Sequence, residues 1–251
     1  MNSASNPIVL IPARMAATRL PNKPLADIGG VTMIVRVLRR AEAAGVGLAA
    51  VAAGDPEIVA AVEKAGGRAV LTDPGLPSGS DRIYAALEHV DHGTKHDVVV
   101  NLQGDLPALD PAYIRLVVDT LASTGADIAT LAAEIDDAAD YDNPNVVKPV
   151  VAWGIGEDRG RALYFTRARA PHGDGPLFHH VGIYAYTRDA LSRFVKLDPS
   201  PLEKREKLEQ LRALEAGMSI AVARVPGVPL SVDTPEDLKK ARELIAADVS
   251  K

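Results

Sequence analysis

Residues Ile8–Leu25 read IVLIPARMAATRLPNKPL. The apolar run Ile8, Val9, Leu10, Ile11 stops at Pro12, and Arg14, Arg19 and Lys23 follow in a segment that also holds Pro21 and Pro24. A short apolar run bounded by breakers predicts a buried strand. Open α/β sheets bind ligands outside the carboxyl ends of their strands, which is where these cations stand. Three spaced cations on a restricted loop suit a triphosphate, because each can meet different oxygens through charge-assisted hydrogen bonds. The alternative is a solvated surface loop.

Strand-like and helix-like segments alternate outward from that point. The spacing predicts a helix over Val31–Ala44, a strand at Leu48–Ala52, a helix at Pro56–Ala65 stopped by Gly66 and Gly67, and a strand at Ala69–Leu71. A helix follows over Ser80–Val90, with Ser78 or Ser80 as cap, then the Val-rich strand Asp97–Leu102, a helix at Pro111–Ala122 and a strand at Ile128–Ala132. Short connections between alternating elements are the mark of right-handed βαβ units. The predicted fold class is α/β: a mostly parallel central sheet with helices on both faces, in a single domain over residues 1–251. The pattern loosens after Asp136. Strands are expected at Val146–Trp153, Leu163–Thr166, Val181–Tyr186, Ile220–Val225 and Leu230–Val232, and helices at Asp189–Val195, Leu202–Ala216 and Pro235–Ala247. Residues 140–216 are read as an excursion, a smaller lobe from which the chain returns to complete the main domain.

Composition narrows the function. The chain has 251 residues, is 47% hydrophobic and 24% charged, and carries a net charge of −5. The length allows a large core, and the acidic balance argues against a broad nucleic-acid-binding face. Aromatics make up 4% of the chain, and the Ala, Val and Leu that dominate suit helices packed on a parallel sheet. With no cysteine, disulfides, thiolate metal sites and cysteine nucleophiles are excluded. That absence fits a reducing cytoplasm. No apolar stretch of membrane-spanning length occurs, and MNSASNPIVL lacks the pattern of a signal peptide.

Two aspartates complete the chemical picture. Asp105 follows the Val-rich strand directly in LQGDLPAL, between Gly104 and Pro107. A carboxylate there faces the same crevice as the first loop and would serve as a hard oxygen ligand for Mg²⁺ beside a triphosphate; the alternative is a turn-capping Asp. In SVDTPEDL, Thr234 is a natural N-cap, Pro235 fits the first helical position, and Glu236 and Asp237 suit the positive end of a helix. Asp233 remains, either as a second carboxylate on the same metal or as a turn residue. No G-x-G-x-x-G, phosphate-binding G-x-x-x-x-G-K-[ST], H-E-x-x-H or G-x-S-x-G motif is present. His172, His179 and His180 lack the companions of a metal site and read as hydrogen-bonding groups.

The motifs IPAR–x4–RLPNKPL, SGSDR, LQGDLP, ALYFTRA, HHVGIYAY, PSPLE, EKLEQLRALEAG and VDTPEDL run in order from end to end. Together they resemble the 3-deoxy-manno-octulosonate (Kdo) cytidylyltransferases of Gram-negative bacteria. The resemblance implies a nucleotide-diphospho-sugar transferase-like fold and a Mg²⁺-dependent reaction of CTP with Kdo, giving CMP-Kdo and pyrophosphate for lipopolysaccharide biosynthesis. It implies catalytic roles for Arg14, Arg19, Lys23 and Asp105, and metal ligation by Asp105 and Asp233. Nucleotide contacts fall to Ala13, Arg14, Lys23, Ser78, Arg82 and Gln103, and sugar contacts to Arg167, His180, Tyr184, Glu209 and Gln210. Arg suits the sugar carboxylate, and Glu and Gln suit its hydroxyls. A homodimer is implied as well, with the 140–216 lobe as the sugar-binding and dimerisation element.

Helical spacing puts Leu208, Leu211 and Leu214 on one stripe and leaves Gln210 facing outward, to a substrate cleft, a second subunit or solvent. Two positions depart from the family pattern. Leu106 stands where many relatives carry an acidic residue, so no contact is assigned there. Ala53–Gly54 stands where relatives commonly carry Thr-Asp, with Asp55 next door. The other readings are a different sugar nucleotidyltransferase, for 8-amino-Kdo or an acylneuraminate, and a non-catalytic nucleotide-sugar-binding protein.

Overall fold

The computed structural model describes residues 5–16, 20–154 and 156–249. The chain begins with β1 (Pro7–Ala13), a hairpin of β2 (Asp27–Ile28) and β3 (Val31–Thr32), and helix α1 (Met33–Ala43). Next come β4 (Leu48–Ala53), α2 (Pro56–Lys64), β5 (Ala69–Leu71), α3 (Gly79–Val90), β6 (Val98–Asn101) and α4 (Pro111–Thr124). The remainder holds β7 (Ile128–Glu134), β8 (Lys148–Trp153), β9 (Arg159–Thr166), β10 (Phe178–Thr187), α5 (Arg188–Phe194), α6 (Pro201–Glu206), α7 (Gln210–Glu215), β11 (Ile220–Val225) and α8 (Pro235–Val249). These elements form two units, one of residues 1–115 with 229–251 and the other of residues 116–228. The expected excursion at 140–216 lies inside the second unit.

In the first unit the strands lie in the order β5-β4-β1-β6, and every neighbouring pair is parallel. Ile8, Val9, Leu10 and Ile11 of β1 are fully buried, as a run without alternation requires of a strand covered on both faces. The connections β1–α1–β4 and β4–α2–β5 step in one direction, whereas β5–α3–β6 returns to the far side of β1. Right-handed crossovers therefore place α3 on the face opposite α1 and α2. The reversal makes a switch point between β1 and β6, and the loops leaving both strands open beside it. Those loops carry Arg14 and Gln103–Asp105. A smaller apolar cluster (Ile28, Met33, Val232, Leu238, Ala241 and Ile245) fastens α8 to the β2–β3 hairpin and the start of α1.

The second unit has a mixed sheet in the order β10-β7-β11-β9-β8. β7 and β11 are parallel, while β10–β7, β11–β9 and β8–β9 are antiparallel. The mostly parallel sheet read from the sequence thus belongs to the first unit, with β7–β11 as its parallel counterpart in the second. An irregularity between Val181 and Tyr184 re-aims β10 where HHVGIYAY was expected to be functional.

Three expectations change. Val31 and Thr32, read as the start of a helix, form β3 instead, paired with β2 in a hairpin that turns on Gly29 (φ 59°) and Gly30 (φ 78°), the primed turn such hairpins favour; strands of two residues are too short to show alternation. Leu230–Val232 is not a ladder strand, although Val232 N donates to the Asp105 carbonyl at 3.0 Å. The helix expected over Leu202–Ala216 is two helices, α6 and α7, with Lys207 left-handed (φ 56°, ψ 47°) at the end of the first. The break shifts the helical phase, so Gln210 is not outward-facing: it is 8% exposed and buried beside Leu211 and Ala213. The start of α6 is fixed by a capping box between Ser200 and Glu203, whose carboxylate also pairs with the buried Arg212 at 2.6 Å.

Candidate active site

The centre of the first unit's site is one ammonium between two carboxylates. Lys23 Nζ donates to Asp105 Oδ2 at 2.9 Å and to Asp233 Oδ1 at 2.9 Å, partners 82 and 210 residues away in sequence. Local structure places each group. Lys23 opens a 3-10 turn preceded by left-handed Asn22, with Pro24 at the next position. Asp105 leaves β6 through Gly104, where a Cβ would stand 3.0 Å from the Pro12 carbonyl, so glycine lets this loop lie against the β1 loop without pushing it away. The Val232 N–H bond to the Asp105 carbonyl then brings Asp233 alongside. Thr234 caps α8 as its sequence implied: its Oγ1 accepts from Asp237 N at 3.2 Å and donates to Asp237 Oδ2 at 2.8 Å. Burial pulls the Lys23 pKa down, but the charge of Asp105 and the hydrogen bonds to both aspartates outweigh it and raise the pKa above the ordinary value.

Beside this triad, a cavity of about 250 Å³ is lined by Ala13, Arg14, Ser78, Arg82 and Gln103, among others. A second, of about 240 Å³, is lined by Ala13, Arg14, Lys23, Gln103 and Asp105. All six expected nucleotide-contact residues therefore border two hollows that share Ala13, Arg14 and Gln103. A larger cavity of about 380 Å³ in the second unit, around Arg159 and Arg161, contains none of the expected residues. Arg19 lies outside the described residues.

Ser78 and Arg82 also have structural work. Ser78 Oγ accepts from Asp81 N at 3.2 Å and caps α3. Ser78→Ala is expected to cost about 1 kcal/mol, seen as a fall of about 2–4 °C in Tm; an unchanged melting curve would refute the cap. Arg82 is 2% exposed. Its Nη1 donates to Thr72 Oγ1 at 2.7 Å and to the Asp73 carbonyl at 3.1 Å. Thr72 Oγ1 in turn donates to the Ala53 carbonyl at 2.9 Å.

The second unit holds the candidate sugar residues. Thr130 Oγ1 lies 2.9 Å from His180 Nε2 and 2.9 Å from the Ile183 carbonyl. A hydroxyl has one proton, and the carbonyl can only accept it, so Nε2 carries a hydrogen and donates to Thr130 Oγ1. Burial, then the like charge of His179, lowers the His180 pKa to about 3, which keeps the ring neutral and, with the hydrogen on Nε2, leaves Nδ1 as an acceptor. The ring packs edge-on against Phe165 (5.1 Å) and near Tyr184 (5.4 Å). Tyr184 is held as a phenol by burial first, then by the neighbouring Tyr186 and the charge of Glu209. Glu209 occupies the N-cap of α7, next to buried Gln210. Arg167 ends a different network. Its Nε donates to the Glu206 carbonyl at 2.8 Å, Nη1 to the Pro144 carbonyl at 2.8 Å and Nη2 to the Lys207 carbonyl at 3.4 Å, leaving two of the five guanidinium N–H groups outside these bonds.

Several contributors gave no local signal in the sequence. Glu206 accepts from Arg167 N at 2.9 Å and Thr166 Oγ1 at 2.8 Å. Lys148, fully buried, donates to the Asn143 carbonyl at 2.6 Å and the Arg167 carbonyl at 3.3 Å. Thr130 was hidden in an apolar strand. No group of three or more His, Cys, Asp or Glu suited to a metal occurs among the described residues.

A cytidylyltransferase family model matches residues 8–220. The 3-deoxy-manno-octulosonate cytidylyltransferase of Parvibaculum lavamentivorans is 63% identical over 243 residues, covering 97% of this chain and 94% of the relative. The enzyme of that name from Rhodospirillum centenum is 61% identical, covering 96% and 93%. A solved structure of CMP:2-keto-3-deoxy-manno-octonic acid synthetase complexed with CTP superposes with a TM-score of 0.88 at 38% identity, covering 97% of this chain and 100% of that one. The chain belongs to the cytidylyltransferase family, among the 3-deoxy-manno-octulosonate cytidylyltransferases.

Proposed function

We propose that this chain transfers CMP from CTP to the anomeric hydroxyl of Kdo, releasing pyrophosphate and supplying CMP-Kdo for lipopolysaccharide synthesis. The observation that carries this reading is the Lys23 ammonium bonded at 2.9 Å to both Asp105 and Asp233. Two distant carboxylates converge on one cation beside an arginine-lined cavity, which is the electrostatic pattern a nucleoside triphosphate needs. Hard oxygen donors already gathered around a positive charge also fit a divalent cation. Asp105 and Asp233 would hold Mg²⁺, which would supply neutralisation of the phosphate charge.

The remaining steps belong to the chain's own groups. Arg14 and Lys23, joined by Arg19 on the family resemblance, grip the triphosphate and balance the charge that grows on the departing pyrophosphate. Ala13, Ser78, Arg82 and Gln103 seat the cytidine portion. In the second unit, His180 Nδ1 accepts from a sugar hydroxyl, the Tyr184 phenol donates to another, and Glu209 and Gln210 complete the polar set. The free donors of Arg167 take the sugar carboxylate. The sugar oxygen forms a bond to the α-phosphorus as the bond to pyrophosphate breaks in line, and the hydroxyl proton passes to solvent water. Positioning and charge neutralisation carry such a transfer, with no covalent help from the protein.

No helix among the described residues is long and apolar enough to cross a membrane. A cysteine-free chain using CTP fits a cytoplasmic enzyme, and the family resemblance supports a homodimer. The direct test is pyrophosphate release from CTP that depends on both Kdo and Mg²⁺; tight CTP binding without turnover would leave only a binding protein. Parallel assays with 8-amino-Kdo and an acylneuraminate fix the sugar. Arg167→Ala is expected to raise the KM for Kdo by about tenfold to a hundredfold while the KM for CTP stays put. The reverse pattern would move Arg167 to the nucleotide.

A further inference from the structure

The end of β4 carries an aspartate in an unusual arrangement. Asp55 occupies the N-cap of α2, yet its side chain makes no cap hydrogen bond. An N-cap Asp ordinarily accepts from the first turn of its own helix, a bond worth about 1 kcal/mol. Here Oδ2 turns away from α2 and accepts from Met15 N at 2.7 Å, 40 residues earlier in the chain. That N–H is the first backbone donor after Arg14. The neighbouring Gly54 N donates to the Ala13 carbonyl at 2.8 Å, so the strand ladder and the Asp55 carboxylate grip the chain on either side of Arg14.

Gly54 has a separate effect at the same junction. A Cβ at residue 54 would stand 2.7 Å from Arg82 Nη1 and 3.3 Å from Arg14 Cβ. Its absence leaves room for the two arginines to lie close together. Burial, then the like charge of Arg14, lowers the Arg82 pKa, and Asp55 and Asp73 push it back up. Asp55 is thus both a backbone tether and a counter-charge beside two cations that border the same cavity.

We propose that Asp55 is a positioning residue for the nucleotide site: its carboxylate fixes the backbone after Arg14 and so aims the Arg14 guanidinium at the phosphates. The inference rests on Arg14 as a triphosphate ligand. The cost of the missing cap bond falls on α2, and the gain goes to a loop 40 residues away.

Steady-state kinetics and CTP calorimetry on five variants test it. Asp55→Ser is the decisive one. Serine is a strong N-cap, but its shorter side chain cannot reach Met15 N. This variant is expected to melt at or above the wild-type temperature and still to bind CTP about tenfold more weakly, with the KM for Kdo unchanged. Asp55→Ala is expected to lose the same CTP affinity, and Asp55→Asn, which keeps an acceptor at the same reach, to stay within about threefold of wild type. In Arg14→Ala/Asp55→Ala the second change is expected to add less than about twofold to the effect of Arg14→Ala alone. Wild-type CTP binding by Asp55→Ser beside impaired binding by Arg14→Ala overturns the inference alone, as do fully multiplicative effects in the double variant or an Asp55→Asn as impaired as Asp55→Ala. Normal CTP binding by Arg14→Ala overturns the phosphate role of Arg14 and this inference with it.

Discussion

Asp105→Asn is expected to lower kcat by roughly 10²–10³-fold, the scale seen when one preorganised electrostatic group is removed from a transition state. The substitution is nearly isosteric. Its remaining oxygen can still accept from Lys23 Nζ, and Lys23 keeps its 2.9 Å bond to Asp233. The Asp105 side chain is only 24% exposed, but the amide that replaces it carries no charge to desolvate. Melting within a few degrees of wild type should therefore accompany the collapse in turnover. What is lost is one unit of negative charge at the point where Asp105 and Asp233 converge, which weakens retention of a divalent cation and with it neutralisation of the phosphates. Pyrophosphate release measured across a Mg²⁺ titration checks this. Turnover within about threefold of wild type at low millimolar Mg²⁺ would remove Asp105 from the site.

Lys23→Met is expected to show a different signature. It removes the cation that Asp105 and Asp233 share and leaves two like charges in one hollow. The side chain of Lys23 is 16% exposed and that of Asp233 41%, so the pair stands between a surface ion pair and a buried one. The loss of stability should fall at about 1–3 kcal/mol. CTP-dependent turnover should fall by roughly 10²–10³-fold, because the phosphates lose a charge-assisted donor. The same vacancy gives Mg²⁺ a stronger purchase on the free enzyme. Adding Mg²⁺ should then raise the Tm of Lys23→Met by more than it raises that of wild type, through preferential binding to the folded state. Equal Mg²⁺ shifts in the two proteins would argue that the aspartates are not a cation site.

The pH dependence has a definite sign. The folded pKa of Lys23 is raised, so its stabilisation is fully present below the unfolded value, near 10.5, and is lost as pH rises through the higher folded value. The Tm gap between wild type and Lys23→Met should be flat from neutral to mildly alkaline pH and close only in strong alkali.

Much of this chain is legible without coordinates because its signals are local. Ile8–Ile11 is a run with no polar interruption, and a four-residue apolar run between breakers has little choice but to be a buried strand. Thr234 and Pro235 announce the start of α8 through cap chemistry that acts within one turn. Ser78 does the same for α3. The failures come where a local pattern underdetermines the backbone. Leu208, Leu211 and Leu214 have helical spacing, but the left-handed turn at Lys207 interrupts the helix that the spacing assumed, and Gln210 goes inside.

By itself, the sequence determined which charged residues stand at strand and helix ends: cations after β1, a carboxylate after β6, and a spare aspartate before α8. A strand must end and a cap must form wherever its residues dictate, and these are interactions of neighbours. Only the tertiary structure decided which of these groups meet. Lys23 reaches Asp105 and Asp233 across 82 and 210 residues, Asp55 leaves its own helix for Met15, and Arg167 ties into carbonyls of Pro144, Glu206 and Lys207. The physical reason is that hydrogen bonds and ion pairs act over a few ångströms in space, whereas sequence patterns report only partners a few residues apart. Groups so far apart in the chain become neighbours once the strand order reverses beside β1, and no periodicity in the chain records that reversal.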